Sequence, residues 1–437
     1  MSMFFRVFVT VLLLPFAGLA MDIQEVTTPA GTTVWLVEEP SIPIISVEVE
    51  FKGGAVLDPQ DKLGATVLMA GLLEEGSNDL DSTGFAAARE DLAARFSYDG
   101  NRDGVSISAT MLSDNRDATI DLLAGALGNP TFDEVSVARV RAQVLSNLQS
   151  ELTDPNYIGA LTFRQRVFGE HPYANPTSGT PETVAALTRD DVVAAHRRSL
   201  VRSRAVVGVV GDITAAEVGP MIDRLLAGLP EDGPDLPARA TITDAAELEV
   251  VPLATPQSVA VFGHEGIERD SPDFIAAYVL NTIMGGGGFN SRLGEEIREK
   301  RGLTYGIYAY LASADYGDLL LGSVASANNR MAEVVGLVQE EWAKMAAEGV
   351  TAKELADVKR YITGSYPLRF TSNGAIANSL VGMQLAGLPL DYVDTRNEQV
   401  EALTLEEINA LATRLYRPDA LRVVIVGQPE GIADTTQ

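Results

Sequence analysis

The chain has 437 residues, with 60 Asp and Glu against 33 Lys and Arg, a formal net charge of −27 and no cysteine. That length fits two or more domains, and the lack of cysteine excludes disulfides and lipid-modified cysteine. The acidic balance argues against a nucleic-acid partner, which needs a basic face. The acids are spread without a long run, as on a solvated surface.

At the N-terminus, "MSMFFRVFVTVLLLPFAGLA" carries one basic residue, Arg6, then an apolar run from Val7 to Leu14, then a small-residue exit ending at Ala20. This is the layout of a secretory signal peptide, residues 1–20. The run is short for a spanning helix, and no later segment is apolar for long enough to span. The expectation is a mature chain from about Met21, periplasmic or secreted, with no stable membrane span after signal cleavage.

The next segments, "TTVWLVEE" and "ISVEVEFKGG", alternate as strands. "GATVLMAGLLEEG", residues 64–76, reads as a helix between glycines. From Leu187, "LTRDDVVAAHRRSLVRSRAVVGVVGDIT" gives a capped helix, a basic turn and a buried strand ending at Gly211. From Leu403, "LTLEEINALATRLYRPDALRVVIVGQPE" repeats that order and ends its strand at Gly427, at an offset of 216 residues. "VSISATMLSDNRDATIDLLAGAL" and "LLLGSVASANNRMAEVVGLVQEEW" match likewise, with Arg116 and Arg330 at an offset of 214. Near-constant offsets at unrelated positions indicate duplication of a unit of ordinary domain size. The predicted fold is α+β: two tandem homologous α/β-sandwich domains, 21–228 and 245–437, each a sheet covered by helices. They are joined by a Pro-, Gly- and Asp-rich linker at 229–244.

The second half contains "AAYVLNTIMGGGGFNSRLGEEIREKRGLTYG". Gly285, Gly286, Gly287 and Gly288 predict a flexible loop, and Asn290 or Ser291 can cap the helix that follows. Glu296 and Lys300 form an attractive i,i+4 pair, whereas Glu295 and Glu299 repel. Gly302 suits a helix stop. Tyr305, Ile307, Ala309 and Leu311 then alternate with Tyr308 and Tyr310 as a strand, with the last two tyrosines expected to pack. By spacing alone, Arg298 fits a surface salt bridge, for instance to Glu295.

The duplicated α+β unit and the block "SRLGEEIREKRGLTYG" resemble the insulinase/pitrilysin family of inverzincin metallopeptidases, over nearly the whole mature chain. In that family an arginine and a tyrosine seven residues later reach the active site from the second domain. The matching residues are Arg298 and Tyr305. A guanidinium and a phenol are donors suited to a peptide carbonyl and its developing oxyanion. The family's zinc motif is H-x-x-E-H on a first-domain helix, with two histidines on one face and a glutamate as general base. In the matching segment the ligand positions hold Val67 and Gly71, and the base position holds Ala70. A further glutamate ligand would fall near Ser146 or Asn147.

The three histidines, His171, His196 and His264, have no ligand spacing, and Glu74 and Glu75 point apart on a helix. No metal site is therefore expected in this chain. The glycine run lacks a following G-K-[ST], which weakens a phosphate-binding reading. By resemblance, the glycine-rich loop either takes part in substrate handling or is a plain tight turn.

The resemblance implies the non-zinc subunit of a heterodimer. A homologous zinc-motif partner would supply zinc and base, and this chain would supply Arg298 and Tyr305 for a peptide or unfolded-protein substrate. The alternative is a non-enzymatic peptide-binding or scaffold protein of the same fold. A homodimer with its own hydrolytic activity is disfavoured by the missing ligands.

Overall fold

A computed structural model describes residues 21–435; residues 1–20, where the sequence places a signal peptide, and 436–437 lie outside the described residues. The strands are β1 (Gln24–Thr27), β2 (Thr33–Glu38), β3 (Ile44–Lys52), β4 (Gly76–Ser77), β5 (Leu80–Asp81), β6 (Arg95–Gly100), β7 (Gly104–Leu112) and β8 (Ala205–Gly211) in the first half. The second half holds β9 (Leu248–Pro252), β10 (Gln257–Glu265), β11 (Ile307–Ala312), β12 (Leu319–Ala327) and β13 (Arg422–Gly427).

Two sheets result, ordered β1-β2-β8-β3-β7-β6 and β9-β13-β10-β12-β11, with β4 and β5 forming a small separate hairpin. Apart from the extra edge strand β1, the two orders correspond strand for strand. Each has one parallel pair, β2 with β8 and β9 with β13, and is otherwise antiparallel. The duplication seen in the sequence is therefore a duplication of topology.

Side-chain parity explains the layers. Along β3, Ile45, Val47, Val49 and Phe51 are buried, and they join the main core beneath the helices of their own half. The central strand β13 is buried at all six positions, as expected of a strand covered on both faces. An equivalent core in the second half gathers Phe262, Leu280, Trp342 and Ile425.

The outer face of each sheet is covered by a helix from the other half. The helix Pro155–Phe168 lays Phe163, Val167 and Phe168 on Val261 and Val424 of the second sheet. The helix Asn373–Leu385 lays Ala377, Leu380 and Met383 on Trp35, Val37 and Val210 of the first. Polar contacts fix this exchange: Gln384 Nε2 donates to the Val207 carbonyl at 2.9 Å, and Arg166 grips Glu249 bidentately at 2.7 Å. Residues 227–247 form neither helix nor strand. They are nonetheless held in place, with Leu236, Ala240 and Ile242 packed against the inter-half cluster.

At that junction Tyr173 is fully buried. Its hydroxyl donates to Asp103 and accepts the Tyr316 N–H at 2.9 Å. Burial pushes the Asp103 carboxyl up, against the pull of the Tyr173 hydrogen bond.

Candidate functional site

The helix Ala65–Ala70 is the one that would carry a zinc motif, and it is well held. The buried Asp58 carboxylate accepts N–H groups of Gly64 (3.0 Å) and Thr66 (3.2 Å), accepts the Thr66 hydroxyl, and pairs with Arg198. A carboxylate at a helix N-terminus satisfies orphan donors and complements the dipole. The start of this helix is thus anchored by Asp58. Val67 is half-buried and Ala70 buried, and Gly71, at the helix end, presents no side chain. None of the three offers a lone pair to a cation or a base to a proton.

Neighbouring polar groups are committed elsewhere. Glu74 pairs with Arg89 at 2.7 Å and Glu75 with Arg139. Ser146 and Asn147 are exposed on the helix Glu134–Glu151, and the Asn147 side chain accepts from Gln143. Among the described residues, no group of three His, Cys, Asp or Glu is placed to hold a metal ion. The residues present do not fit the family's zinc.

Each histidine has a packing role. His264 is buried, accepts Trp342 Nε1–H on Nε2 at 2.9 Å, and directs Nδ1 at the Glu265 carbonyl at 2.7 Å. Since the indole can only donate, the Nδ1–H tautomer follows. Burial pushes its pKa down to about 4. His196 points Nε2 at the Leu127 carbonyl (2.6 Å), and His171 caps the short turn Pro172–Ala174.

The corner at 282–306 departs from expectation in several details. The glycine run is mostly not a loop: Thr282–Gly286 continues the helix Phe274–Asn281 as a widened turn. Gly285 is required by close approach, since a Cβ there would lie 2.5 Å from the Ala309 nitrogen of β11. Ser291 is the cap of the following helix, its Oγ accepting the Gly294 N–H at 3.2 Å.

Arg298 is partly buried and pairs with Glu299 (3.5 Å) rather than Glu295, which takes Lys300 at 3.1 Å. The helix stops at Gly302, at φ 63°. Tyr305 lies before the strand, not in it, and is 92% exposed. Tyr308 and Tyr310 also face outward, at 59% and 49% exposure, rather than packing in the core as expected. The reason is that β11 is an edge strand whose helix-covered face is filled by Ile307 and Ala309.

One pair of residues escaped the sequence reading. On the near side of Tyr305, the Thr304 hydroxyl donates to the Ala325 carbonyl (2.7 Å) and accepts the Gly306 N–H (3.1 Å). Ser326 Oγ donates to the Leu303 carbonyl at 2.5 Å. Both tie the segment around Tyr305 to β12, so an exposed tyrosine is presented on a fixed backbone. A Thr two residues before a Gly is too common to signal such a clasp.

A groove of about 600 Å³ runs under this corner, lined in part by Gly287, Arg292, Glu299, Asp357 and Tyr361. There, burial pushes the Glu354 carboxyl up, but hydrogen bonds from Arg292 and Thr351 outweigh it and hold the group at about 2.

Comparison with known proteins is consistent across the chain. Residues 33–180 match the family model described as "Insulinase (Peptidase family M16)", and residues 186–362 match "Peptidase M16 inactive domain". A "Non-peptidase homolog YmxG" of Helicobacter pylori is 28% identical over 404 residues, 92% of this chain and 93% of that protein. An "Uncharacterized zinc protease ML0855" of Mycobacterium leprae is 26% identical, covering 91% of this chain and 90% of its own. The crystal structure of a peptidase M16 inactive domain from Pseudomonas fluorescens superposes with TM-score 0.88 at 28% identity, covering 95% of this chain and 99% of that one.

Proposed function

From the premise that the chain belongs to the insulinase (M16) peptidase family, we propose that it is the non-catalytic subunit of an exported metallopeptidase heterodimer. A homologous zinc-motif subunit supplies metal and general base, and this chain supplies peptide recognition. What supports a non-catalytic part is the set Val67, Ala70 and Gly71 on an otherwise intact helix. The observation that carries the recognition role is Tyr305. A tyrosine 92% exposed, on a backbone tied to β12 at Leu303 and Thr304 before it and by the pairing of Ile307 with Val324 after it, is preorganised for something outside the chain.

In this reading an extended peptide pairs with a sheet edge, and main-chain hydrogen bonds provide affinity without sequence selectivity. Arg298 and the Tyr305 hydroxyl donate to the carbonyl oxygen of the bond to be cut. Donors fixed in advance act more strongly on the oxyanion than on the neutral carbonyl. The chain itself moves no proton.

The test is a peptidase assay with metal analysis on the mature chain alone and co-expressed with a zinc-motif homologue. An inert, zinc-free chain and an active pair that loses activity with Arg298→Ala support the proposal. A pair no more active than the zinc subunit alone defeats it and leaves a peptide-binding or scaffold role. A chain that by itself binds stoichiometric zinc and cleaves peptide overturns the assignment of residues 64–76.

A further inference from the structure

A cavity of about 370 Å³ opens beside Ala309, Tyr310 and Leu311 of β11. Three arginines, Arg269, Arg369 and Arg396, converge on it, and among the described residues no Asp or Glu lines it. The chain has 60 acidic residues against 33 basic ones, so three guanidinium groups sharing a cavity without an acid is an unusual arrangement. None of the three forms an ion pair among the described residues, whereas Arg292, Arg298 and Arg301 of the adjoining helix all do.

Aromatic groups hold them instead, and Arg396 Nη1 also donates to the Asn397 side-chain oxygen at 3.0 Å. Arg269 lies 4.1 Å over the Phe274 ring, Arg396 lies 4.2 Å over Tyr366, and Arg369 Nη2 donates to the Tyr278 hydroxyl at 3.5 Å. Ring faces orient a guanidinium plane and offset part of its desolvation, but they add no counter-charge. Arg396 is 6% exposed. A cation at that depth is costly unless an anion joins it.

Asn281 adds a second requirement. It lines the same cavity, is 4% exposed, and donates Nδ2–H to the Ala309 carbonyl at 3.1 Å. That fixes its amide orientation and leaves Oδ1 buried with no hydrogen-bond partner. The cavity therefore offers three cationic donors within aromatic walls, with one unused acceptor, Asn281 Oδ1, buried in the residue that lines it.

We propose that this is a carboxylate pocket, which takes the acidic side chain or the C-terminal carboxylate of a bound peptide. That the carrier is a peptide rests on the recognition role proposed above. That the pocket takes a carboxylate does not.

The test has two arms, both on the isolated mature chain. Calorimetry compares N-acetylphenylalanine with its amide, and the acid should bind at least about tenfold tighter, as loss of charged hydrogen bonds implies. Arg269→Gln with Arg369→Gln, neither fully buried, should erase that preference. Arg224→Gln with Arg330→Gln, which removes equal charge outside the cavity lining, should keep it. Equal binding of acid and amide, or a preference surviving the double variant, overturns the proposal. The second arm compares labelled peptides carrying an internal Glu or Gln, and a free or amidated C-terminus, which separates the two sources of carboxylate. If the small acid binds through the arginines but no peptide binds, the pocket stands and the peptide-recognition reading falls.

Discussion

Replacing Tyr305 by Phe separates folding from function. The side chain is 92% exposed, and its hydroxyl has no hydrogen-bond partner among the described residues. The substitution removes no internal contact, so stability should stay within about 0.5 kcal/mol, as for ordinary surface changes. If the hydroxyl donates to an oxyanion in the assembled peptidase, its loss should cost about 2.7–4 kcal/mol of transition-state stabilisation, roughly 10²–10³ in kcat. The assay is steady-state cleavage of a quenched fluorescent peptide by the pair, beside thermal unfolding of the isolated chain. Tyr308→Phe is the control, the same chemical change at a neighbouring side chain that is 59% exposed. A Tyr305→Phe pair with the parent's kcat refutes the argument, and so does equal damage from Tyr308→Phe.

Tyr173→Phe should lower stability by about 1–3 kcal/mol, because it strands the Asp103 carboxyl and the Tyr316 N–H in the inter-half junction; an unshifted urea midpoint would contradict this. Burial depresses the folded pKa of His264 to about 4 from the ordinary 6.5. Its contribution is present above 6.5 and lost as pH falls through about 4. Nitrogen NMR should therefore show the neutral Nδ1–H tautomer at pH 5, and a ring titrating near 6.5 would disprove the packing role. Glu354, held at about 2 against an ordinary 4.5, stabilises above pH 4.5 and loses that effect as pH falls toward 2. Glu354→Gln should flatten the acid limb of the Tm–pH curve, and an unchanged limb counts against the pair with Arg292. Chelator treatment should leave the Tm of the isolated chain unchanged, since Val67, Ala70 and Gly71 supply no zinc ligand; a chelator-sensitive Tm would show that a metal contributes to its stability.

The duplicated architecture was legible because burying the same faces twice requires the same apolar pattern twice. The matched helix-strand ends at Gly211 and Gly427 carry that pattern within a few tens of residues. The chemistry of the helix Ala65–Ala70 was legible too, since what Val67, Ala70 and Gly71 can ligate is a property of residue type. Strand parity in β11 was read correctly, but its sidedness was not. Tyr308, Tyr310, Ile307 and Ala309 are all apolar enough to pack, and only the layer above the sheet chooses between the two sets. The glycine run misled for a similar reason. Glycine permits both a loose loop and a tight approach, and Gly285 serves the second, against Ala309.

The sequence alone therefore determined what depends on residue type and short-range order: the two-fold repeat, the identities of Val67, Ala70 and Gly71, and the seven-residue Arg298–Tyr305 spacing; it left the cap open between Asn290 and Ser291, and the structure chose Ser291. The tertiary structure decided what depends on which surfaces meet. Nothing in the apolar pattern of the helices Pro155–Phe168 and Asn373–Leu385 shows that each lies on the other half's sheet. Arg269, Asn281, Arg369 and Arg396 are scattered over 128 positions, and nothing local to any of them signals the others. They share one cavity beside the edge strand β11 only because long-range packing brings together the turn that holds Arg269, the short helical turn that ends at Arg369 and the helices that carry Asn281 and Arg396.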